Sequence, residues 1–295
     1  MTGRILLTGA AGRLGATIAE SYAGREVVAH TRATLDITNP EAVRRAVADA
    51  EPDVVINCAA CNDVDGAEDR PTEALAVNAF AVRSLARAAE AARAVLVHFS
   101  TDFVFDGTAD HPYDEDDQPS PRGTYASSKL LGEWFALDAP RAYVVRVESL
   151  FGAPDGWRGR QGSVDTIIDG LERGDEVRVF TDRVVSPSYV RDVARAVDHL
   201  LQTAAPPGLY HGVSSGHATW RELAEESARL LDVVPRLQMV SMDAVSLKAP
   251  RPRYCALANQ KLASAGFTMP SWQDSLGHWL TARQASHSKM DQRHG

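Results

Sequence analysis

The chain of 295 residues is poor in several features that define whole classes of protein. Its three cysteines, Cys58, Cys61 and Cys255, are too few for the disulfide framework of a secreted domain. No apolar stretch approaches the ~20 residues that cross a bilayer, and no signal-peptide pattern stands at the N-terminus. The net charge is −8, and the sequence contains no run of lysine and arginine. We therefore expect a cytoplasmic protein that binds neither membranes nor nucleic acid.

The spacing of the cysteines and histidines gives little support to metal or redox chemistry. Cys58 and Cys61 form a CxxC pattern, but the pair ends the apolar run DVVINCAAC, whereas a redox pair needs a helix N-terminus. His111, His211 and His217 show no metal-ligand spacing. We predict small buried cysteines and no metal site.

Short apolar runs alternate with helical stretches through the first half of the chain. The runs are RILLT, EVVAH, DVVIN, AVLVHFS and AYVVRV, and alanine-rich segments separate most of them. Continuous apolar strands between helices predict a parallel sheet that is covered on both faces. This is a doubly wound α/β (Rossmann) architecture. We predict a dinucleotide-binding domain over residues 1–150.

The alternation loosens after residue 150, where a loop rich in glycine and arginine covers 152–162. No linker or repeat sets the second half apart, so we predict a smaller C-terminal substrate-binding part that is interleaved with the first domain. It comprises residues 151–180 and 206–282, while 181–205 packs back onto the dinucleotide-binding domain. Residues 283–295 are polar, and we predict a disordered tail there.

A glycine-rich turn follows the first strand and opens a helix. Glycine allows close approach to a pyrophosphate and close packing of helix on strand. The helix N-terminus then offers free N–H groups and a positive dipole end to the phosphates. The alternative is a glycine-rich turn with no ligand. The predicted cofactor contacts in this turn are Gly9, Ala11, Gly12, Arg13, Leu14 and Gly15.

The end of the second strand indicates which dinucleotide is bound. NAD-preferring enzymes usually place a carboxylate there, on the ribose 2′-hydroxyl, but this chain has His30-Thr31-Arg32. Arg32 can accept a 2′-phosphate, with Arg13 as a second cation. The alternative is that both arginines are ordinary surface residues. We predict NADP as the cofactor, with NAD possible.

A Tyr-x-x-x-Lys pattern places Tyr125 and Lys129 on one face of a predicted helix. An ammonium beside a phenol lowers the pKa of the phenol, so Tyr125 can exchange a proton with a carbonyl or alcohol oxygen. Thr101 stands at the carboxyl end of the fourth strand, where ligand groups gather in open parallel sheets. We predict that these three residues are the catalytic groups of a hydride-transfer site.

In this order, these residues resemble the extended short-chain dehydrogenase/reductase family and, within it, the dTDP-4-dehydrorhamnose reductase branch. The resemblance covers nearly the whole chain. The stretches that carry it are VINCAACNDVDGAED, VNAF, HFSTDFVFDGTADHPYDE, TYASSKLLGE, VSPSYVRDVA, PGLYHGVSSGHATWRELA and RPRYCALANQKL.

The resemblance implies an NAD(P)H-dependent reductase of a nucleotide-linked 4-keto-6-deoxy sugar, with hydride from the nicotinamide and the proton from Tyr125. It implies a monomer or homodimer. It also implies further cofactor contacts, namely Asp36, Ile37, Cys58, Ala59, Ala60, Asn78 and Ser100 in addition to Tyr125 and Lys129. The implied substrate contacts are Asp102, Phe103, Ser149 and Arg158.

Three departures from the family pattern concern the substrate and a metal. Phe103 stands where the family usually has tyrosine, and Ser149 stands where rhamnose enzymes carry tryptophan. Thr17 occupies the first acidic position of members that bind a divalent metal. We therefore expect a different or bulkier sugar than dTDP-4-dehydrorhamnose.

Two other functions remain open at this stage. A sugar-nucleotide epimerase uses the same tyrosine and lysine, and a regulatory subunit of the kind that accompanies methionine adenosyltransferase binds NADP without catalysis. Dehydration is not expected, because Phe103 follows Asp102 where dehydratases carry a second acid.

Overall fold

The computed structural model describes residues 3–294, except for the side chains of 286–294. The strands are β1 (Ile5–Thr8), β2 (Val27–His30), β3 (Val54–Asn57), β4 (Val95–Thr101), β5 (Ala142–Val147), β6 (Leu150–Phe151), β7 (Glu176–Phe180), β8 (Val184–Val185), β9 (Ser188–Tyr189), β10 (Gly208–His211), β11 (Ala218–Thr219) and β12 (Arg236–Val240).

The helices are α1 (Arg13–Ser21), α2 (Pro40–Ala50), α3 (Val64–Asp69), α4 (Pro71–Leu75), α5 (Ala81–Ala91), α6 (Thr124–Leu137), α7 (Ser163–Arg173), α8 (Val190–Thr203), α9 (Trp220–Leu231), α10 (Gln260–Ser264) and α11 (Trp272–His294). A π-helical segment, Ala76–Phe80, joins α4 to α5. Short 3₁₀ turns cover Asp102–Val104 and Met242–Ala244.

Six strands form one parallel sheet in the order β10-β5-β4-β3-β1-β2. Successive side chains of a strand point to opposite faces, and both faces are buried here. Leu7 and Val97 belong to a core cluster that includes residues of α1 and α8, whereas Leu6 and Leu96 belong to one that includes residues of α2 and α5. The predicted doubly wound fold is confirmed.

The second half of the chain adds three small sheets at the carboxyl edge of the main one. In these sheets β6 pairs with β9, β7 with β12, and β8 with β11. Helix α8 packs on α1, and β10 pairs with β5. Residues 208–211 therefore lie in the main sheet, although the sequence analysis assigned 206–282 to the substrate-binding part.

The last helix differs from the sequence prediction. Its backbone continues to His294, where we predicted a disordered tail from residue 283; Gly295 lies outside the described residues. The chain has no proline or glycine from 278 to 294, so nothing in the backbone chemistry stops the helix. None of the helices described is both long and apolar enough for a membrane span.

Candidate active site

A cleft of about 590 Å³ opens at the carboxyl edge of the sheet, between the glycine-rich turn, the end of β4, α6 and the loop after β6. Most of the predicted site residues line it: Ala11, Gly12, Arg13, Leu14, Gly15, Cys58, Ala60, Ser100, Thr101, Asp102, Phe103, Tyr125, Lys129 and Ser149. Seven do not line it: Gly9, Arg32, Asp36, Ile37, Ala59, Asn78 and Arg158.

The glycine-rich turn needs glycine for steric reasons. Gly9 has a φ of +71°, and a Cβ there would lie 2.5 Å from the backbone nitrogen of Ala59. A Cβ on Gly15 would lie 2.3 Å from the carbonyl oxygen of Gly9. Gly12 is the N-cap of α1 and offers no capping side chain. The first N–H groups of α1 therefore remain free at the cleft and can hold a pyrophosphate.

Arg13 is engaged within the protein. Its guanidinium forms a salt bridge with Asp165 and donates to the carbonyl oxygen of Gly152 at 2.9 Å. It also lies 5.0 Å from the ring centre of Trp157, whose indole nitrogen donates to the carbonyl oxygen of Ala11 at 3.0 Å. Arg13 thus ties α1 to α7 and the loop, and it is not the free second cation that the sequence predicted.

The residues that follow β2 lie outside the cleft. The side chain of Arg32 is 95% exposed, and its nearest acidic partner is Glu73 at 4.0 Å, so Arg32 is available to a phosphate. Asp36 accepts from the backbone and hydroxyl of Thr38 at 2.9 and 2.7 Å, and these bonds lower its pKa. Ile37 is buried in the core. The side chain of Asp36 therefore binds within its own turn, the side chain of Ile37 packs in the core, and neither points into the cleft.

Asn78 is fully buried in the π-helical segment. It accepts from the backbone of Cys61 at 2.8 Å and donates to the carbonyl of Cys61 and to Ser128 Oγ, both at 3.0 Å. Its amide therefore fixes the loop after β3 against α6, which is a different role from the cofactor contact that the resemblance implies. Ala59 lies in the same loop, with its backbone against Gly9.

The three predicted catalytic residues meet in the cleft. Thr101 ends β4, and α6 carries Tyr125 and Lys129. The helix starts after Gly123 at a φ of +84°, and Glu68 accepts from the backbone of Thr124 at 2.7 Å. Tyr125 lies in the first turn of α6, with its hydroxyl 3.5 Å from Asn62 Oδ1. Asn62 lines the cleft as well, and the sequence analysis missed it.

Burial dominates the acid–base properties of the pair on α6. It raises the pKa of Tyr125, a hydrogen bond from Thr101 opposes this rise, and the charge of Asp102 adds to it. Burial lowers the pKa of Lys129 to about 8, against the charge of Glu133. Lys129 Nζ donates to the carbonyl oxygen of Phe99 at 2.6 Å. The sequence analysis expected Lys129 to lower the pKa of Tyr125, but the phenol is held protonated, which is the state a proton donor needs.

Phe103 packs against the side of the Tyr125 ring. Its ring meets that of Tyr125 edge to face, with centroids 5.6 Å apart. The guanidinium groups of Arg183 and Arg251 lie 5.5 and 5.9 Å from its centre. These contacts suit phenylalanine at position 103, because the hydroxyl of a tyrosine would need a hydrogen-bond partner of its own. Ser149, at a φ of +43°, faces the cleft.

The loop after β6 divides two cavities. Arg158, a predicted substrate contact, lines a cavity of about 940 Å³ behind the loop and does not line the cleft. Arg160 and Trp157 line the cleft. The indole of Trp157 lies between its loop and the glycine-rich turn, where it donates to the carbonyl oxygen of Ala11. A lone tryptophan in a loop of glycine and arginine was the only sequence signal for this contact.

Comparison with known proteins places this site in a family. Residues 3–285 match the model of the RmlD substrate binding domain. The chain is 39% identical over 284 residues to a dTDP-4-dehydrorhamnose reductase of Mycolicibacterium smegmatis, covering 94% of this chain and 84% of that protein. It is 36% identical to a dTDP-4-keto-6-deoxy-D-glucose reductase of Streptomyces niveus, covering 96% of each.

A solved structure shows the same fold. The dTDP-4-dehydrorhamnose reductase of Bacillus anthracis in complex with NADP superposes with a TM-score of 0.89 at 31% identity, over 96% of this chain and all of that one. The match in fold agrees with the match in sequence along nearly the whole chain. The chain belongs to the RmlD substrate binding domain family, the branch to which its motifs pointed.

Proposed function

We propose that this chain is an NADPH-dependent reductase that converts the 4-keto group of a dTDP-linked 4-keto-6-deoxy sugar to a hydroxyl. The observation that carries the proposal is that Thr101, Tyr125 and Lys129 line the same cleft as the N-terminus of α1. The names of the relatives support a dTDP-linked sugar as substrate. The NADP-bound relative supports the cofactor.

The residues of the cleft fit a dinucleotide. Side chains at Gly9 and Gly15 would collide with backbone atoms of the turn and its neighbours. Glycine at these positions keeps the turn tight, so that its backbone can approach a pyrophosphate closely. Arg32 is proposed to bind the 2′-phosphate, since its side chain is exposed and Arg13 is already paired. NAD remains a possible cofactor, because a single exposed arginine is a weak selector. When bound, the cofactor supplies a hydride to the sugar carbon.

The protein's own groups manage the proton. Tyr125 donates its phenolic proton to the oxygen on C4 of the sugar. When the substrate is bound, the hydroxyl of Thr101 turns from Asp102 Oδ1 and donates to the same oxygen. Lys129, as an ammonium, keeps a positive charge in the cleft, which favours the phenolate that Tyr125 becomes. Phe103 fixes the ring of Tyr125 by its edge-to-face contact.

A third cavity, distinct from the cleft and from the cavity behind the loop, offers space for the nucleotide of the substrate. It measures about 510 Å³ and shares residues 160–163 with the cleft. Arg160 and Arg178 supply positive charge along it, and Phe180 and Trp220 supply aromatic surface, whereas Arg173 is paired with Asp175 at 2.8 Å. Arginine binds diphosphate oxygens in a bidentate manner, and a thymine ring stacks on aromatic faces. We propose that the dTDP moiety lies here.

The test is an assay of NADPH oxidation with a panel of dTDP-linked 4-keto-6-deoxy sugars. Tyr125→Phe should lower turnover by at least ~100-fold while the Kd for NADPH stays unchanged. Tyr210→Phe is the matched control, because Tyr210 is buried outside the cleft and donates to the carbonyl oxygen of Pro206 at 2.7 Å. It should leave turnover unchanged.

Three outcomes would contradict the proposal. An epimerase would interconvert sugars with no net oxidation of NADPH, and a regulatory subunit would bind NADPH without turnover. Tyr125→Phe with the turnover of the parent protein would show that the proton comes from another group. Best activity on dTDP-4-dehydrorhamnose would show that Phe103 and Ser149 do not change the choice of sugar.

A further inference from the structure

Two buried carboxyl groups lie beside the catalytic threonine. Asp102 and Glu148 are 3% and 2% exposed. Asp102 Oδ1 accepts the hydroxyl of Thr101 at 2.9 Å, and Glu148 Oε2 accepts the backbone N–H of Ser186 at 2.6 Å. Their other oxygens, Asp102 Oδ2 and Glu148 Oε1, are buried and have no hydrogen-bond partner among the described residues. A buried carboxylate oxygen without a donor is strongly disfavoured.

The charges around the pair do not balance if both acids are ionised. An oxygen of each acid and Cys255 Sγ lie within 4.8 Å of one another. Arg183 supplies positive charge, at 3.7 Å from Cys255 Sγ, and Tyr254 is near enough for the charge of Glu148 to raise the pKa of its phenol. Burial raises the pKa of the Cys255 thiol and of the Tyr254 phenol, so both are neutral near pH 7. One guanidinium therefore faces two carboxyl groups, and two neighbouring buried carboxylates cannot both ionise cheaply.

We propose that Asp102 and Glu148 share one proton, that Glu148 carries it, and that Glu148 is thereby a positioning residue for proton donation by Tyr125. A proton on Glu148 Oε1 turns that unpartnered acceptor into a donor, and Asp102, an oxygen of which lies within 4.8 Å of an oxygen of Glu148, is the acceptor beside it. Asp102 is the charged member, because it already receives the hydroxyl of Thr101. Burial and the charge of Asp102 both raise the pKa of Glu148, in the same direction.

The proton matters because Tyr125 becomes negatively charged when it donates. The charge of Asp102 already raises the pKa of Tyr125. A second charge, on Glu148, would disfavour the phenolate further and slow the transfer. Neutral Glu148 limits the cluster to one negative charge, which Arg183 compensates. This consequence rests on the proposed reductase function, whereas the shared proton itself does not.

The first measurement uses the protein without substrate. At pH 7 the infrared spectrum should contain the C=O stretch of a protonated carboxyl group, shifted in D₂O. The band should be lost in Glu148→Gln and retained in Glu115→Gln. Glu115 is a suitable control because, like Glu148, it is an acid that accepts a backbone N–H, that of His211 at 2.8 Å. It is partly buried and does not line the cleft. Absence of the band from the unmodified protein, or its persistence in Glu148→Gln, would overturn the shared proton.

The second measurement is the pH dependence of kcat. The carboxamide of Glu148→Gln keeps the volume and the bond to Ser186, but cannot ionise. The ratio of its kcat to that of the unmodified protein should rise by at least ~3-fold as the pH passes the point at which the infrared band of Glu148 is lost, while the titration of Lys129 is common to both proteins and cancels. The ratio of the two KM values should not rise over the same pH range. The ratio for Glu115→Gln should stay flat.

The two measurements separate the failure of this inference from that of the proposed function. A protein that reduces no sugar nucleotide would contradict the function, while the infrared band would still decide the shared proton. A kcat ratio that stays flat in an active Glu148→Gln enzyme, across the pH at which the infrared band of Glu148 is lost, would overturn the positioning role.

Discussion

A buried ion pair behind the catalytic helix offers a quantitative test of how the site is held. Arg146 on β5 donates to both carboxylate oxygens of Glu133 on α6, at 2.8 Å each, and both side chains are 2% exposed. The guanidinium also lies 4.9 Å from the ring centre of Phe105. His211 Nε2 lies 3.3 Å from Arg146 Nη1, and burial lowers the pKa of His211 to about 3, so it is neutral.

Glu133→Gln removes the charge that compensates Arg146 and leaves one acceptor in place. Breaking a buried ion pair from one side costs about 3–5 kcal/mol. We expect about 3 kcal/mol for Gln, because its oxygen still accepts one N–H, and a loss toward the upper end of that range for Ala. The charge of Glu133 also opposes the burial that lowers the pKa of Lys129 to about 8. In Glu133→Gln that pKa should fall further, so the alkaline decline of kcat should move to lower pH.

Urea unfolding followed by circular dichroism gives the free energy of unfolding. Glu225→Gln is the control, because Glu225 pairs with Arg221 on the surface of α9 at 48% and 43% exposure, and such pairs contribute less than ~1 kcal/mol. The reasoning would be refuted if the two variants lost equal stability, or if the alkaline decline of kcat in Glu133→Gln moved to higher pH.

Two further predictions concern the cofactor. Gly9→Ala should weaken NADPH binding by at least ~10-fold, because its Cβ would lie 2.5 Å from the backbone of Ala59 at a positive φ; calorimetry measures the Kd, and unchanged affinity would show that the turn does not contact the cofactor. Arg32→Asp should shift the ratio of the Kd values for NADPH and NADH toward NADH, since it exchanges a phosphate partner for a ribose acceptor. An unmodified protein that binds NADH more tightly would contradict the assignment of Arg32.

The sheet and the meeting of Thr101, Tyr125 and Lys129 in one cleft could be predicted because their signals are local. Each buried strand is a continuous apolar run, and Tyr125 and Lys129 are one helical turn apart. The positions of Thr101 and the glycine-rich turn follow from the rule that ligands bind at the carboxyl ends of parallel strands. These inferences need only spacing and residue type.

Other roles depend on partners that are distant in sequence. Arg13 is paired with Asp165, 152 positions away, and no local pattern reveals that its charge is already used. Asn78 is bound to Cys61 in the loop after β3 and to Ser128 on α6, 17 and 50 positions away. The direction of Arg158 depends on the fold of its loop, which Trp157 fixes by a contact 146 positions away. Composition could suggest these residues, but only the folded chain assigns them.

The path of the chain through the main sheet has a consequence for recombination. After β5 the chain leaves for β6, α7 and β7, returns as α8 to cover α1, and returns again as β10 to pair with β5. A fragment that ends at residue 150 would lack α8 and β10, so the side of α1 would lose its cover and β5 would become an open edge strand. A single crossover at that point between two relatives would therefore set α8 and β10 of one chain against α1 and β5 of the other, and the chimera would fold only where these two interfaces match. Substitutions at residues that line the cleft, such as Phe103 and Ser149, leave both interfaces intact.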